Sequence, residues 1–345
     1  MYSREKAYFD ILRAEPVVEK EFLEDILTVE GGITKFAITE VTNTNTARII
    51  KIRVGCGANR KALFIKTSIP GKGDGPYREL NMRECRFYEL VMRRPDALPL
   101  PKCHDVFARR STGEFVIVLD DIAEGYHAPR DCDLMKKETW FACAEALGRL
   151  HAAFWNDGSF DQEETEDGEA RRAIEKSNAD LDKFLRDFGE RLDAETVAIL
   201  RKATEIYNGR LERPRRINTT LCSGDSHIHN FMLGQGEALM VDFQFWGRGL
   251  GEADLAHLTR VAFPKDFRGK FQMELARHYY DTLTALGVAG YSWQECLDEY
   301  RRRVATMVLM PLWQYCGYGI PYEDWKDDMP ELIDGYKRLG CDEIA

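Results

Sequence analysis

Five polar residues in the sequence are of the types that phosphoryl transfer from a nucleoside triphosphate requires. Lys66 ends the apolar run ALFIK, and Glu84 lies in the segment that follows it. Asp225 precedes Asn230 by five residues, and Asp242 follows the apolar LMV. The reaction needs a cation for the phosphates, an anion to fix that cation, a carboxylate for the proton of the attacking hydroxyl, and oxygen ligands for Mg²⁺. Lys66 and Glu84 can supply the first two, Asp225 suits the base, and Asn230 and Asp242 suit the metal.

Each of these residues also has a simpler interpretation when it is considered alone. Lys66 could be a charge at the end of a strand, and Glu84 could lie on the solvated face of a helix. The neighbouring His227 and His229 form an i, i+2 pair that could suggest a metal site. Hydrogen bonding within their own loop is the simpler role for both histidines. Phosphoryl transfer is therefore predicted by the whole set and by no single member of it.

The segments that must position these residues change character along the chain. Between residues 33 and 67, three short segments rich in β-branched and aromatic residues predict strands: KFAITEV, ARIIKIRV and KALFIKTS. The polar VTNTNT (41–46) predicts a turn between the first two. Residues 77–94 predict an amphipathic helix that carries Glu84, and PKCHDVFAR and FVIVLDDI predict two further strands.

Beyond Asp121 the sequence is mostly helical. Residues 139–155 predict a long apolar helix, in which His151 is interpreted as a core histidine. Further amphipathic helices are predicted within 177–210 and 265–345.

One strand pair interrupts the predicted helices. NFML and ALMVDFQ flank the turn GQGE, which places Asp242 at the end of a strand. The sequence therefore predicts an α+β protein, with a sheet-rich part at 1–121 and a helical part at 122–345.

Composition and charge exclude several classes of protein. Of the 345 residues, 44% are apolar and 31% are charged, which is typical of a globular chain with a sizeable core. The formal net charge of −10 argues against nucleic acid as a partner, because non-specific binding of nucleic acid needs a basic face. The N-terminus is charged throughout, unlike a signal peptide, and the most apolar stretch, 305–320, is interrupted by Pro311 and two glycines. We therefore expect a soluble, cytoplasmic protein that does not enter a membrane.

The motifs around these residues resemble those of the aminoglycoside phosphotransferase and choline kinase group of the protein-kinase-like superfamily. SGDSHIHN, which contains Asp225 and Asn230, resembles the H-G-D-x-H-x-x-N loop of that group. VDFQ followed by GEADLAHL resembles its metal-binding segment and the aspartate beyond it. ECRFYELV and ALGRLHAAFW resemble the helix of the lysine's partner and the long core helix. The D-F-Q form and the E-x-x-F/Y segment are closest to the ecdysteroid kinase-like and choline kinase-like branch, and the resemblance covers about residues 60–260.

This resemblance implies a two-lobed protein-kinase-like fold, with a small antiparallel-sheet N-terminal lobe, a larger and mainly helical C-terminal lobe, and the nucleotide between them. It implies ATP and Mg²⁺ as cofactors and a hydroxyl of a small molecule as the acceptor. Asp225 would be the catalytic base, Lys66 and Glu84 the phosphate-positioning pair, and Asn230 and Asp242 the magnesium ligands.

The resemblance also assigns roles that the residues alone do not indicate. Leu119 to Ile122 would be the hinge, where backbone groups of Asp120 and Ile122 reach the edge of the adenine. Asp254 would be structural and would tie down the catalytic loop. Two features depart from the family pattern. Ser223 stands where the family usually has a loop-bracing His, and the turn VTNTNT, expected to cover the phosphates, contains no glycine.

Several alternatives stay open at this level. The two departures would suit a nucleotide-binding pseudokinase, or a module that sequesters a ligand without phosphotransfer, although the complete set of five residues argues against both. Nucleotidyl transfer would instead release pyrophosphate. The acceptor is either an amine-bearing alcohol, favoured by the acidic segment at 161–169, or an apolar alcohol, favoured by the aromatic C-terminal helices. A protein acceptor is not expected, because the chain lacks an A-P-E segment, and the sequence carries no signal for oligomeric state.

Overall fold

The computed structural model describes residues 2–28, 32–57, 59–71, 75, 77–94, 97–160, 167–212, 217–260 and 262–344, with the backbone alone for 167–171. The strands are β1 (Lys35–Asn43), β2 (Arg48–Cys56), β3 (Asn59–Thr67), β4 (Cys103–Arg109), β5 (Glu114–Asp120), β6 (Thr220–Cys222), β7 (Phe231–Leu233), β8 (Ala238–Met240) and β9 (Gly247–Gly249). The helices are α1 (Arg4–Ile11), α2 (Lys20–Ile26), α3 (Arg78–Val91), α4 (Asp131–Leu134), α5 (Lys137–Ala153), α6 (Asp167–Phe188), α7 (Ala194–Glu212), α8 (Glu252–Leu258), α9 (Lys270–Ala285), α10 (Trp293–Met307), α11 (Met310–Tyr318), α12 (Tyr322–Trp325) and α13 (Asp328–Arg338).

The chain divides into two compact units. The first contains Met1–Ala128 together with two later segments, Met232–Gln235 and Leu239–Trp246. The second contains the remaining residues up to the C-terminus. The boundary predicted between 121 and 122 stays a prediction.

A five-stranded antiparallel sheet forms the first unit, in the order β1-β2-β3-β5-β4. Residues alternate between buried and more exposed along β2, so that Ile50, Ile52 and Val54 point to one face of the sheet. That face packs against α1 and α2 in one apolar cluster, which includes Ile11 and Phe22. The alternation in the sequence therefore determines which face of the sheet is covered.

Strand β3 is central in this sheet and carries the predicted lysine. Lys66 lies opposite Ile49 of β2 and Ile117 of β5, so both neighbours fix its place in the sheet. Helix α3 follows and lies against β4 and β5. Its buried residues, which recur at helical spacing, include Glu84, Phe87 and Tyr88.

The second unit is mainly helical. Helix α5 packs along α9 at close range, since a Cβ at Gly148 would lie 2.7 Å from Cγ2 of Thr282. Strand β6 pairs with β9, and Leu221 lies opposite Arg248. Helix α8 packs against α10 and α5. Helix α8 also contacts the loop that follows β6 and holds Asp225.

The α+β prediction is confirmed, with an antiparallel sheet in the first unit and mostly helices in the second. Two local predictions need correction. The first strand extends to Asn43, because Thr44 closes the turn by accepting the Ala47 N–H on its hydroxyl and donating its own N–H to the Ala47 carbonyl. Strand β8 ends at Met240, so Asp242 lies beyond the strand rather than at its end.

Two sequence features have a limited structural description. The acidic segment at 161–169 lies outside the described side chains, and residues 161–166 lie outside the described backbone as well. Among the helices that the structure describes, none combines the length and apolar character needed to cross a membrane.

Candidate active site

Lys66 and Glu84 form a buried ion pair in the first unit. The Lys66 Nζ donates to Glu84 Oε2 at 2.6 Å, and the two side chains are 13% and 3% exposed. A pair buried to this degree is costly to desolvate, so each charge depends on the other for compensation. The structure thus brings together the two residues expected to position phosphate.

The charges around Lys66 keep it protonated. Burial alone would lower the pKa of Lys66, but Glu84 and then Asp242 outweigh it, so that the pKa lies above its ordinary value. Burial raises the pKa of Glu84, and the Lys66 ammonium opposes that effect. The result is a fixed ammonium group in a low-dielectric setting, where its attraction for phosphate is stronger than in water.

Asp242 has an unusual backbone and an unsatisfied carboxylate oxygen. Its φ is +62°, a left-handed conformation that is uncommon outside glycine. The next residue, Phe243, stacks on Phe87 of α3 at 3.7 Å between ring centroids, and this packing holds the segment in place. Asp242 Oδ1 is buried and has no hydrogen-bond partner among the described residues. A buried carboxylate oxygen without a partner, aided by strained backbone, fits a cation ligand.

Gln244 connects the Asp242 segment to helix α3 and to the β1–β2 turn. Its Nε2 donates to Asn81 Oδ1 at 2.9 Å, and Asn81 Nδ2 donates to the Thr46 carbonyl at 3.1 Å. Gln244 and Asn81 are both buried. The turn that lacks glycine is therefore anchored through its carbonyl by two buried amides, a contact that the sequence did not reveal.

The predicted hinge lies at the end of β5. The Asp120 carboxylate accepts from His104 Nε2 at 2.7 Å, and the Asp120 N–H donates to the Lys102 carbonyl. The Ile122 carbonyl accepts the N–H groups of Gly125 and Tyr126, which leaves the Ile122 N–H as its remaining backbone group. The adenine contacts of Asp120 and Ile122 stay predictions.

The loop after β6 is held in place by Asp254 of α8. The Asp254 carboxylate accepts the backbone N–H of Ser223 at 2.6 Å and of Gly224 at 3.0 Å. Its backbone carbonyl accepts the Ser226 hydroxyl at 2.8 Å. Because these contacts lie on both sides of Asp225, they fix the backbone from which its side chain projects. Asp254 thus has the structural role that was predicted for it.

A buried chain of hydrogen bonds supports Asp254 from behind. His151 Nε2 lies 3.3 Å from Asp254 Oδ2, and His151 Nδ1 lies 2.8 Å from the Tyr279 hydroxyl. An Nε2–H donor to the carboxylate leaves Nδ1 to accept from the tyrosine. Gly251 leaves room for this chain, since a Cβ there would lie 2.1 Å from the Tyr279 oxygen. His151 is buried, as predicted, and through Asp254 it also supports the loop that holds Asp225.

The Asp225 carboxylate has imidazoles on two sides. His227 Nε2 lies 3.6 Å from Oδ2, and His257 Nε2 lies 3.7 Å from Oδ1. Asn230 Nδ2 donates to the Asp225 carbonyl at 2.7 Å and to Oδ2 at 3.3 Å. Because the amide nitrogen of Asn230 makes both contacts, its carbonyl oxygen is the atom left for a metal. The structure brings Asp225 and Asn230 together.

Ser223 occupies the position where a loop-bracing His was expected. Its Oγ is buried and has no hydrogen-bond partner among the described residues. The loop is nevertheless fixed, since the Ser223 backbone N–H binds Asp254. Although the expected His is absent, Asp254 still holds the backbone of this loop.

Sequence reasoning missed the contributions of His257, Gln244 and Asn81. His257 follows Asp254 by three residues on α8, and this spacing, which puts both on one helix face, could have identified it. Gln244 lies in the D-F-Q segment already singled out. Asn81 gave no signal, because a buried amide in a helix cannot be distinguished from an exposed one by its type.

Comparison with known proteins gives one family and a consistent fold. A family model described as "Ecdysteroid kinase-like family" matches residues 60–288. An aminoglycoside phosphotransferase from Alicyclobacillus acidocaldarius has a similar structure, with a TM-score of 0.54, 12% identity, and coverage of 88% of this chain and 90% of that chain. A choline/ethanolamine kinase family protein from Mesorhizobium loti has a TM-score of 0.52 and 17% identity, with coverage of 99% of this chain and 99% of that chain. A choline kinase from Cryptosporidium parvum has a TM-score of 0.52 and 13% identity, with coverage of 90% of this chain and 91% of that chain. At these identities the similarity is one of fold. No curated protein matched the sequence.

Proposed function

We propose that this chain, which belongs to the ecdysteroid kinase-like family, transfers the γ-phosphoryl group of ATP to a hydroxyl of a small molecule. The kinase-like fold supports a small-molecule kinase at the level of the family. The observation that carries the proposal for this chain is the buried Lys66–Glu84 pair together with the buried Oδ1 of Asp242, which has no hydrogen-bond partner among the described residues. A chain that bound neither nucleotide nor a metal ion would gain nothing from these desolvated groups.

In the proposed reaction, the acceptor hydroxyl oxygen forms a bond to the γ-phosphorus, and the bond from that phosphorus to the β–γ bridging oxygen breaks. ADP leaves with the electron pair of that bond, and the hydroxyl proton passes to the Asp225 carboxylate. Asn230 orients this carboxylate through its amide, and Asp254 fixes the backbone beneath it. Lys66, held by Glu84, binds the phosphate oxygens of ATP.

Asp242 and Asn230 are the residues that would hold magnesium. Both offer oxygen atoms, which are the ligands that Mg²⁺ prefers. When bound, the ion would neutralise charge on the phosphates. The orphaned oxygen of Asp242 fits this role, because a cation would satisfy it.

The test is ADP release from Mg-ATP with a panel of hydroxylated compounds: aminoglycosides, choline-like amines, macrolides, nucleosides and sterols. One pool should stimulate release, and Asp225→Asn or Asp242→Asn should reduce it by roughly a hundredfold or more. Asp281→Asn is the matched control, since Asp281 pairs with exposed Arg277 on α9 and should leave turnover unchanged. Ser223→Ala should also have little effect, because its hydroxyl has no described partner.

Other results would contradict the proposal in recognisable ways. Undiminished activity of Asp242→Asn would exclude its role as a metal ligand. Release of pyrophosphate would indicate nucleotidyl transfer. Binding of Mg-ATP with no stimulation by any pool would favour a pseudokinase.

A further inference from the structure

A cavity of about 310 Å³ lies in the second unit, beyond the end of α8. Its wall combines apolar groups, among them Phe263 and Leu332, with five charged residues. Three of these are cations and two are carboxylates: Arg260, Lys265, Arg268, Asp328 and Glu331. The lining therefore has a formal charge of +1 in a chain whose net charge is −10. A positive, partly apolar cavity in an acidic protein needs an explanation.

Lys265 and Arg268, two of the three cations, have a common carboxylate partner. Lys265 forms an ion pair with Glu331, and Arg268 Nε lies 3.6 Å from Glu331 Oε2. Arg268 also donates weakly to the Phe263 carbonyl at 3.4 Å. Glu331 thus pairs with two of the three cations and does not pair with the third.

Arg260 is the third cation, and it has no such partner. No carboxylate oxygen of a described residue lies within the 4.0 Å of an ion pair. Its Nε is buried and makes no hydrogen bond to any described residue, and its Nη2 reaches only His257 Nε2, at 3.4 Å. Burial lowers the pKa of Arg260, while Asp328 and Asp225 attract its charge from a greater distance. An arginine that is largely desolvated and unpaired is costly unless an anion joins it.

The place of Arg260 connects this cavity to the proposed chemistry. His257 Nε2 lies 3.4 Å from Arg260 Nη2 and 3.7 Å from Asp225 Oδ1, so the guanidinium and the carboxylate approach the same imidazole nitrogen. A molecule that is bound in the cavity at Arg260 and extends toward His257 Nε2 would therefore approach the carboxylate that is proposed to accept the hydroxyl proton. All three residues belong to the second unit.

We propose that the cavity binds the acceptor and that Arg260 recognises an anionic group on it, so that the acceptor is a partly apolar alcohol bearing a carboxylate, sulfonate or phosphonate-type anion. This inference rests on the proposed function, because Arg260 of the cavity wall and Asp225 both lie close to His257 Nε2. Arginine binds such groups through two parallel N–H donors. An amine-bearing alcohol would instead meet a positively charged lining.

The test measures binding separately from turnover. Para-hydroxymethylbenzoate and para-hydroxymethylbenzenesulfonate carry an anion opposite the hydroxyl, and benzene-para-dimethanol is their neutral counterpart. Binding of each probe to the full chain is measured by calorimetry with Mg-ATP omitted, for wild type, Arg260→Met and Arg260→Lys. Arg277→Met is the control, since Arg277 is an exposed arginine of α9 whose partner is Asp281.

The anionic probes should bind wild type more tightly than the neutral one does. Arg260→Met should weaken their binding by roughly tenfold to a hundredfold and leave the neutral probe unchanged. Arg260→Lys should give an intermediate loss, because it keeps the charge without the planar fork. Equal binding of charged and neutral probes to wild type, no binding of any anionic probe at millimolar concentration, or an Arg260→Met variant that binds as wild type does would each overturn the inference.

The outcome for Arg260 is separable from that for the kinase. Asp225→Asn should bind the anionic probes undiminished, while its ADP release falls by roughly a hundredfold or more. Anion binding that depends on Arg260, without ADP release by wild type, would refute the proposed function and leave the anion site intact. Where ADP is released, Arg260→Met should raise KM for an anionic acceptor far more than it lowers kcat. A fall in kcat alone would contradict a role in acceptor recognition.

Discussion

Asp254→Asn offers the sharpest test of how the loop that holds Asp225 is fixed, because it removes a charge and almost no volume. The carboxylate accepts two backbone N–H groups, from Ser223 at 2.6 Å and Gly224 at 3.0 Å, in a fully buried setting. The amide of Asn retains one oxygen, so one of these N–H groups would face an NH₂. Losing a hydrogen bond to a charged acceptor and leaving a buried donor unsatisfied should cost about 3 kcal/mol of unfolding free energy.

Urea unfolding and ADP release measure the two consequences of this substitution. With a slope of about 3 kcal/mol per M, the midpoint should fall by about 1 M of urea. Turnover should also fall, by roughly a hundredfold, because the loop that carries Asp225 would shift by up to about 1 Å. Asp225→Asn provides the contrast. Its turnover should fall because the proposed base is removed, and its stability should change little because the side chain is 31% exposed. An Asp254→Asn variant with the midpoint and turnover of wild type would refute this account of the loop.

Two further predictions concern the surroundings of this loop. Gly251→Ala should destabilise the fold by roughly 1–3 kcal/mol, since its methyl group would overlap the Tyr279 hydroxyl and crowd His151. An unchanged midpoint of thermal unfolding would contradict this close packing around Gly251. Burial, and then the Arg260 guanidinium, lower the pKa of His257 to about 4. The unfolded chain then binds more protons between pH 6.5 and 4, so stability should fall by roughly 3 kcal/mol as the pH falls through that window. His257→Gln should remove this part of the pH dependence in unfolding experiments at several pH values, and an unchanged slope would contradict it.

The elements of the first unit were predictable because their patterns are local. Alternation along β2 and helical spacing along α3 are set by residues a few positions apart, and the structure gives strands at Lys35–Asn43, Arg48–Cys56 and Asn59–Thr67. The predicted helix at 77–94 is Arg78–Val91. Pairing of Lys66 with Glu84 could be anticipated only from their types, since eighteen residues separate them. Their burial, which gives the pair its strength, follows from packing.

Asp242 shows where local patterns fail. A run of apolar residues predicts a strand up to the aspartate, yet the strand ends at Met240 and Asp242 adopts a φ of +62°. The next residue, Phe243, packs on Phe87 of a helix far away in sequence. A tertiary contact overrides the local preference here, and it does so at a residue for which a chemical role is proposed.

The position of Ser223 shows why a motif alone did not predict how the backbone around Asp225 is held. The sequence suggested that Asp225 had lost its brace, because the usual His is absent before Gly224. In the structure the brace acts on the backbone, through the carboxylate of Asp254, and His151 supports that carboxylate from α5. Each of these contacts joins residues at least thirty positions apart. Long-range hydrogen bonds, rather than the side chain at position 223, therefore hold the backbone around Asp225. A substitution within a motif can leave its loop in place when such hydrogen bonds hold the loop.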